Sequence, residues 1–193
     1  MKQEIEIEFK NLLTKEEFQR IKSHFSINEK QFKHQVNHYF DTPDYLLKKH
    51  GAALRIRVKN EKFVLTLKQP AQEGLLESHE LLTAEQAQAI LSNHSIPTNK
   101  ITEILQEEFQ VQASQLQCFG SLATERAEFE YKKGLLVLDQ SRYLNLEDFE
   151  LEYEVSDYNS GKLTFENLLK ELNIPSRKTD NKIKRFYNAK FKN

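Results

Sequence analysis

Residues 3–10 alternate acid and apolar without a break. Glu4, Glu6, Glu8 and Lys10 share one face, and Ile5, Ile7 and Phe9 share the other. A period of two is that of a half-buried strand. Thr14, followed three residues later by Glu17, reads as a capping box, and Phe18, Ile21 and Phe25 make the apolar stripe of the helix it starts. Alternation resumes over 31–41 and ends at the turn Asp41-Thr42-Pro43-Asp44, followed by a short helix from Tyr45 to Lys49 that stops at Gly51. Strands are then predicted over 53–59 and 62–69, joined as a hairpin at Asn60-Glu61, and over 75–82. Helices follow over 83–92 and 99–110, with a further turn at 113–116. The remaining strands are 117–131, 134–140 and 149–157. Helices over 164–172 and 180–191 complete the chain. About eight strands, mostly antiparallel neighbours with helices between them, predict an α+β fold built on a large antiparallel sheet or closed barrel.

The polar faces of these strands are extreme. In an ordinary antiparallel sheet the wet face mixes Thr, Ser, Lys and Glu. Here Arg55 and Arg57 share a face against Leu54, Ile56 and Val58. Lys62, Thr66 and Lys68 lie opposite Phe63, Leu65 and Leu67. Glu150, Glu152 and Glu154 lie opposite Leu151, Tyr153 and Val155. Glutamate is a poor strand residue, and like charges two residues apart repel, so each acidic strand asks for a cation. Carboxylates are hard oxygen donors suited to Mg²⁺ or Mn²⁺. The arginines ask for an anion, and Arg prefers planar, bidentate partners such as phosphate. A single such strand is most simply a solvated face with cross-strand ion pairs. Four of them, with acids and bases segregated by strand, point instead to an enclosed charged interior. An eight-stranded barrel has space inside for one small ligand.

Composition narrows the partners. The 193 residues are 38% hydrophobic and 30% charged, and 28 Lys plus Arg nearly cancel 29 Asp plus Glu. Near-neutral charge and the lack of aromatics interleaved with the bases argue against a nucleic-acid partner. One cysteine, Cys118, excludes an internal disulfide and reads as a small strand residue. No apolar run approaches a membrane span, and a cytoplasmic location is the default expectation. One domain, 1–193, is expected. His24, His34, His38, His50, His79 and His94 have no metal-ligand spacing, and no nucleophile motif or Gly-rich phosphate loop is present. His34 and His38 alternate with Phe32, Val36 and Phe40 and read as packing residues.

Eight blocks in order carry a resemblance to the CYTH domain, the triphosphate tunnel metalloenzyme superfamily. They are Glu6-Ile7-Glu8-Phe9-Lys10 (its Glu-x-Glu-x-Lys signature), Tyr39-Phe40-Asp41-Thr42, Leu54-Arg55-Ile56-Arg57, Leu65-Thr66-Leu67-Lys68, Arg126 within Glu125–Phe129, Leu138-Asp139, Glu150-Leu151-Glu152, and Lys182 with Arg185. The match spans Glu4 to about Tyr187. Asn181 departs from the serine usual before the late lysine, and Glu77 and His79 stand where the family has a tunnel-facing acid. The resemblance implies an eight-stranded antiparallel tunnel with helices outside. It also implies a linear triphosphate held by basic residues and Mg²⁺ or Mn²⁺ held by acids.

On that basis Glu6, Glu8, Glu152 and Glu150 are expected to ligate metal. Carboxylates at i and i+2 on one strand stand about 7 Å apart on one face. Lys10, Arg55, Arg57, Lys68, Arg126, Lys182 and Arg185 are expected to bind phosphate oxygens. Glu150 and Lys182 are the catalytic candidates, Glu150 as a base for water. Glu4, Glu77, Asp139 and Glu154 are secondary candidates. Hydrolysis of inorganic tripolyphosphate is the first expectation. Within the family the alternatives are a class IV adenylyl cyclase or a thiamine triphosphatase. From another class, the alternative is a module that binds polyphosphate or nucleotides without turnover. That last role would not need the acid set.

Overall fold

The structure is a computed structural model and describes residues 1–93 and 96–191. Eight strands form it: β1 (Lys2–Leu13), β2 (Lys33–Asp41), β3 (Ala53–Lys59), β4 (Lys62–Pro70), β5 (Leu75–Leu82), β6 (Gln117–Tyr131), β7 (Gly134–Tyr143) and β8 (Leu146–Val155). The helices are α1 (Lys15–His24), α2 (Leu46–Lys49), α3 (Ala84–Asn93), α4 (Lys100–Phe109), α5 (Tyr158–Glu171) and α6 (Lys182–Phe191). The strand order β1-β5-β4-β3-β2-β6-β7-β8 closes on itself into the expected antiparallel barrel. Two compact units make up the chain. One comprises Met1–Ile5 and Gln35–Ser121, the other Glu6–His34 and the residues from Leu122 onward.

In the first unit, β2, β3, β4 and β5 pair in sequence. Their apolar faces bury Phe40, Leu54, Ile56, Leu65 and Leu67 against Leu47, Ile90, Ile101 and Leu105 of α2, α3 and α4. Residues directly opposite across an antiparallel pair share a face. The register Tyr39↔Arg55↔Thr66↔His79 and Ala53↔Lys68↔Glu77 therefore gathers the polar residues on the side away from those helices. Asp41, at the end of β2, has a structural task. Its carboxylate accepts from the backbone N–H groups of Thr42, Leu47 and Lys48, capping the single turn of α2.

The second unit is built the same way. α1 and α5 cover the apolar face of β1, β6, β7 and β8 through Phe18, Ile21, Phe165, Leu168 and Leu169. The capping box of α1 forms as predicted, Thr14 Oγ1 accepting from Glu17 N–H and Glu17 accepting from Thr14 N–H. α5 begins at Tyr158, earlier than predicted, because Asp157 caps it through Ser160. Gly161 does not break it. A Cβ there would lie 2.5 Å from Val155 and 2.9 Å from Phe9, so the glycine lets the helix sit close on the sheet. α6 differs from the outer helices. Its side chains meet the polar faces of β7 and β8, Phe186 packing on Tyr143.

Candidate functional site

The charged side chains of the second unit converge on one ammonium group. Lys182 Nζ lies 2.5 Å from Glu152 Oε1, 2.7 Å from Glu150 Oε2 and 2.8 Å from Asp139 Oδ2. Side-chain exposure there is 12% for Lys182, 6% for Glu152, 1% for Glu150 and 0% for Asp139. Strand register makes the cluster, because Asp139 on β7 stands opposite Glu150 on β8 and opposite Arg126 on β6. Arg126 grips Asp139 from Nε at 2.8 Å and from Nη2 at 2.6 Å, and reaches Glu152 at 2.7 Å. Arg185, one turn after Lys182 on α6, donates to Glu150 at 2.6 Å and to Asp148 at 2.9 Å. Tyr143 donates to the same Asp148 at 2.5 Å.

These charges fix one another's ionisation. Burial alone would push the Glu152 carboxyl up, yet the Lys182, Arg126 and Lys10 charges hold it well below the usual carboxylate range. Burial pulls Lys182 down, but Asp139, Glu150 and Glu152 together raise it above an ordinary lysine. Arg126 and Arg185 are raised in the same way by their acids. The Tyr143 hydroxyl is pushed up to about 12 by burial and by Asp148.

β1 contributes the signature residues to the same unit. Lys10 stands opposite Glu152 and Glu8 opposite Glu154. Lys10 pairs with Glu8 and donates to Asn181 Oδ1 at 2.9 Å, so the asparagine that departs from the family pattern holds the signature lysine. Burial lowers the Lys10 ammonium, but Glu8, Glu152 and Glu150 outweigh it and the net shift is upward. Glu154 is more exposed, 4.0 Å from Arg126 Nη1. Two carboxylates directly opposite across a ladder, as Glu8 and Glu154 are, repel unless a cation lies near.

In the first unit, Lys68 pairs with Glu77, and His79 Nε2 bridges Glu77 at 3.1 Å and Glu4 at 3.2 Å. The other ring nitrogen of His79 meets Thr66 Oγ1 at 3.0 Å. Burial raises Glu77, but His79, Arg55 and Lys68 bring it net well below the usual range. Arg57 donates to Asn37 at 3.2 Å, whereas the buried Nε of Arg55 has no hydrogen-bond partner among the described residues. His34 and His38 meet Glu125 and Ser121 on the outer side of the sheet, away from these clusters. His94 lies outside the described residues.

Thus Glu150, Glu152, Asp139, Arg126, Lys182 and Arg185 form one network, with Lys10 and Glu8 beside it. Arg55, Lys68, Glu77 and Glu4 belong to the network of the first unit. Sequence reasoning missed Asp148 and Tyr143. Asp148 extends the 150–152–154 alternation by one step toward the N-terminus, so the signal was present. The donor set for a divalent cation is all carboxylate oxygen, which fits Mg²⁺ or Mn²⁺. Among the described residues, however, no three His, Cys, Asp or Glu side chains are poised to hold a metal as they stand. The point where acids converge carries the Lys182 ammonium.

Comparison with known proteins agrees with this architecture. A family model described as "CYTH domain" matches residues 4–187. The chain is 53% identical over 192 residues to the Bacillus subtilis (strain 168) protein named "Putative triphosphatase YjbK", covering 100% of this chain and 99% of that one. A Bacillus halodurans crystal structure described as a "putative adenylate cyclase" superposes with a TM-score of 0.93 at 43% identity, over 97% of this chain and 100% of that one. The Hippeastrum protein HpAC1, described as a "putative adenylyl cyclase" with "a dominant" triphosphatase activity, superposes with a TM-score of 0.82 at 27% identity, over 96% of each chain. No helix among the described residues is long and apolar enough to cross a membrane.

Proposed function

The chain belongs to the CYTH domain family, and from that premise we propose that it hydrolyses a linear triphosphate, inorganic tripolyphosphate first, with Mg²⁺ or Mn²⁺ as the partner cation. The observation that carries the proposal is the segregation of charge on the polar strand faces. β3 presents Arg55, Arg57 and Lys59 with no acid among them, while β8 presents Asp148, Glu150, Glu152 and Glu154 with no base. An anion-binding module needs the first set alone. The second set, held by α6 at Lys182 and Arg185, supports catalysis.

Arg55, Arg57, Lys68, Arg126, Lys10, Lys182 and Arg185 are the candidate phosphate ligands. The Nε of Arg55, which has no hydrogen-bond partner among the described residues, supports a phosphate-binding role for that guanidinium. Glu6, Glu8, Glu150 and Glu152 would hold the divalent cation. When bound, it lowers the pKa of water and neutralises charge on the phosphate oxygens. In the reaction, a water oxygen forms a bond to the terminal phosphorus. The bond from that phosphorus to the bridging oxygen breaks in line. Glu150 takes the water's proton, and pyrophosphate leaves with its charge met by the basic groups. Lys182, 2.7 Å from Glu150 in the metal-free protein, can meet charge developing on the phosphoryl group. A cytoplasmic setting and one functional domain over residues 1–193 are part of the proposal.

The test is phosphate release from tripolyphosphate, thiamine triphosphate and ATP, with and without each metal, for wild type and Glu8→Gln. Cyclic AMP is measured in the ATP arm, because the Bacillus halodurans relative is described as a cyclase. Metal-dependent release from tripolyphosphate, lost in Glu8→Gln, is expected. No release from any triphosphate would sink the enzyme assignment, and cyclic AMP as the main product would replace it with a cyclase.

A further inference from the structure

Lys182 Nζ stands at the point where the carboxylates of Asp139, Glu150 and Glu152 converge. Its three N–H donors are matched by three carboxylates from two strands. Each of those carboxylates has a second, guanidinium partner: Arg126 for Asp139 and Glu152, Arg185 for Glu150. Removing the lysine would leave three buried carboxylates facing one point with a guanidinium on either flank. That point is oxygen-lined and wants positive charge. A divalent ion and the ammonium cannot share it, because their charges repel across a buried, weakly screened distance.

The place of Lys182 on its helix adds to this. It is the first residue of α6, where the helix dipole disfavours a cation. Helix stability therefore does not explain a lysine there; the acids do. Its four-carbon stem can swing without unwinding α6. The helix stays tied to β8 through Arg185, whose guanidinium bridges Asp148 and Glu150.

We infer that Lys182 is a built-in counter-ion that a divalent cation displaces from Asp139, Glu150 and Glu152, and that its departure sets the affinity for metal. This rests on the metal-dependent triphosphatase proposed above and extends it by giving Lys182 two successive roles, neutralising the acids before metal binds and presenting a free ammonium to the phosphate afterwards.

Mn²⁺ binding to the full chain, measured by calorimetry without substrate, tests the exchange in wild type, Lys182→Met and Lys182→Arg. Lys182→Met is expected to bind Mn²⁺ at least tenfold tighter than wild type, and Lys182→Arg within threefold of it. Equal or weaker binding by a folded Lys182→Met overturns the inference. A second measurement needs no variant. Acylation of the Lys182 amine by a small reagent, followed by mass spectrometry, should be slow in metal-free wild type and severalfold faster with saturating Mn²⁺. A rate that Mn²⁺ does not raise overturns the inference even if Lys182→Met does not fold. Metal-dependent phosphate release from tripolyphosphate with no change at Lys182 would sink the exchange alone. Absence of both Mn²⁺ binding and triphosphate hydrolysis would sink the proposed function with it.

Discussion

Arg126 stands directly across the β6–β7 ladder from Asp139 and clasps it with two parallel hydrogen bonds of 2.8 and 2.6 Å, both side chains almost wholly buried. A fork-to-fork pair of this kind is the geometry for which arginine is suited. In an apolar interior it would have to repay the desolvation of both ions, and much of that repayment comes from the additional bond to Glu152 at 2.7 Å. Arg126→Met removes the guanidinium and leaves two buried carboxylates short of a partner. We expect it to destabilise the protein by about 3–5 kcal/mol. The double variant Arg126→Met/Asp139→Leu should lose less than the two single variants added together. Urea denaturation of all four proteins gives the coupling, and strict additivity would show that the pair acts as two independent residues.

The segment leading into α6 is tied down away from the acid cluster. Arg177 donates to both oxygens of Glu17 at 2.7 and 2.9 Å and to the Leu12 carbonyl at 2.9 Å, while Thr179 accepts from Leu12 N–H. The same Glu17 side chain completes the capping box of α1. Arg177→Ala should therefore cost about 1–3 kcal/mol. It should also loosen the approach to Lys182, so proteolytic nicking between Pro175 and Asp180 should become faster than in wild type. A lower melting temperature with unchanged nicking would confine Arg177 to stability.

Much of this could be read from period and charge alone. The strands 75–82 and 117–131 lie where alternation placed them, because each has one apolar face packed on helices and that face sets the period. The β7–β8 hairpin was less legible. Its ends were expected at 140 and 149, yet Tyr143 pairs with Leu146 and the turn puts Leu144 at φ 51°. Leucine in the left-handed region gives no turn signal in sequence. The acids of β8 and the bases of α6 were both legible as charges. Their pairing was not, since Lys182 lies 30 residues from Glu152 and only the packing of α6 on the polar face brings them together. Asn181 reads in sequence as a departure from the family and in three dimensions as the partner of Lys10.

Glu77 supplies a pH-dependent prediction. Burial raises its carboxyl, but His79, Arg55 and Lys68 outweigh that, so the folded value lies far below the ordinary one. The native state thus binds its proton less readily than the unfolded chain. The resulting stabilisation is complete above the unfolded value of about 4.3 and is lost as pH falls toward the folded one. Glu77→Gln should be less stable than wild type at pH 7, and the gap should narrow steadily below about pH 4. Chemical denaturation at a series of pH values checks this, and a gap independent of pH would mean that the charge on Glu77 contributes nothing.

Arg55 separates binding from stability. Its buried Nε has no hydrogen-bond partner among the described residues, and Lys68 and Glu77 pair directly with each other. Truncating Arg55 leaves that pair in place and removes one of the three groups that hold Glu77 ionised. A charge-assisted hydrogen bond to a phosphate oxygen is worth about 1.5–3 kcal/mol, roughly a ten- to hundredfold change in affinity. Arg55→Ala should raise KM for the triphosphate by about that factor while costing less stability than Glu77→Gln, because Lys68 and His79 still face Glu77. Arg55→Lys should recover only part of the loss, because a point charge cannot reproduce the planar fork. An unchanged KM in a folded Arg55→Ala protein would remove β3 from the phosphate-binding set. Equal loss in kcat and in stability would instead mean that Arg55 holds the fold, and that its unpartnered nitrogen is not kept for a ligand.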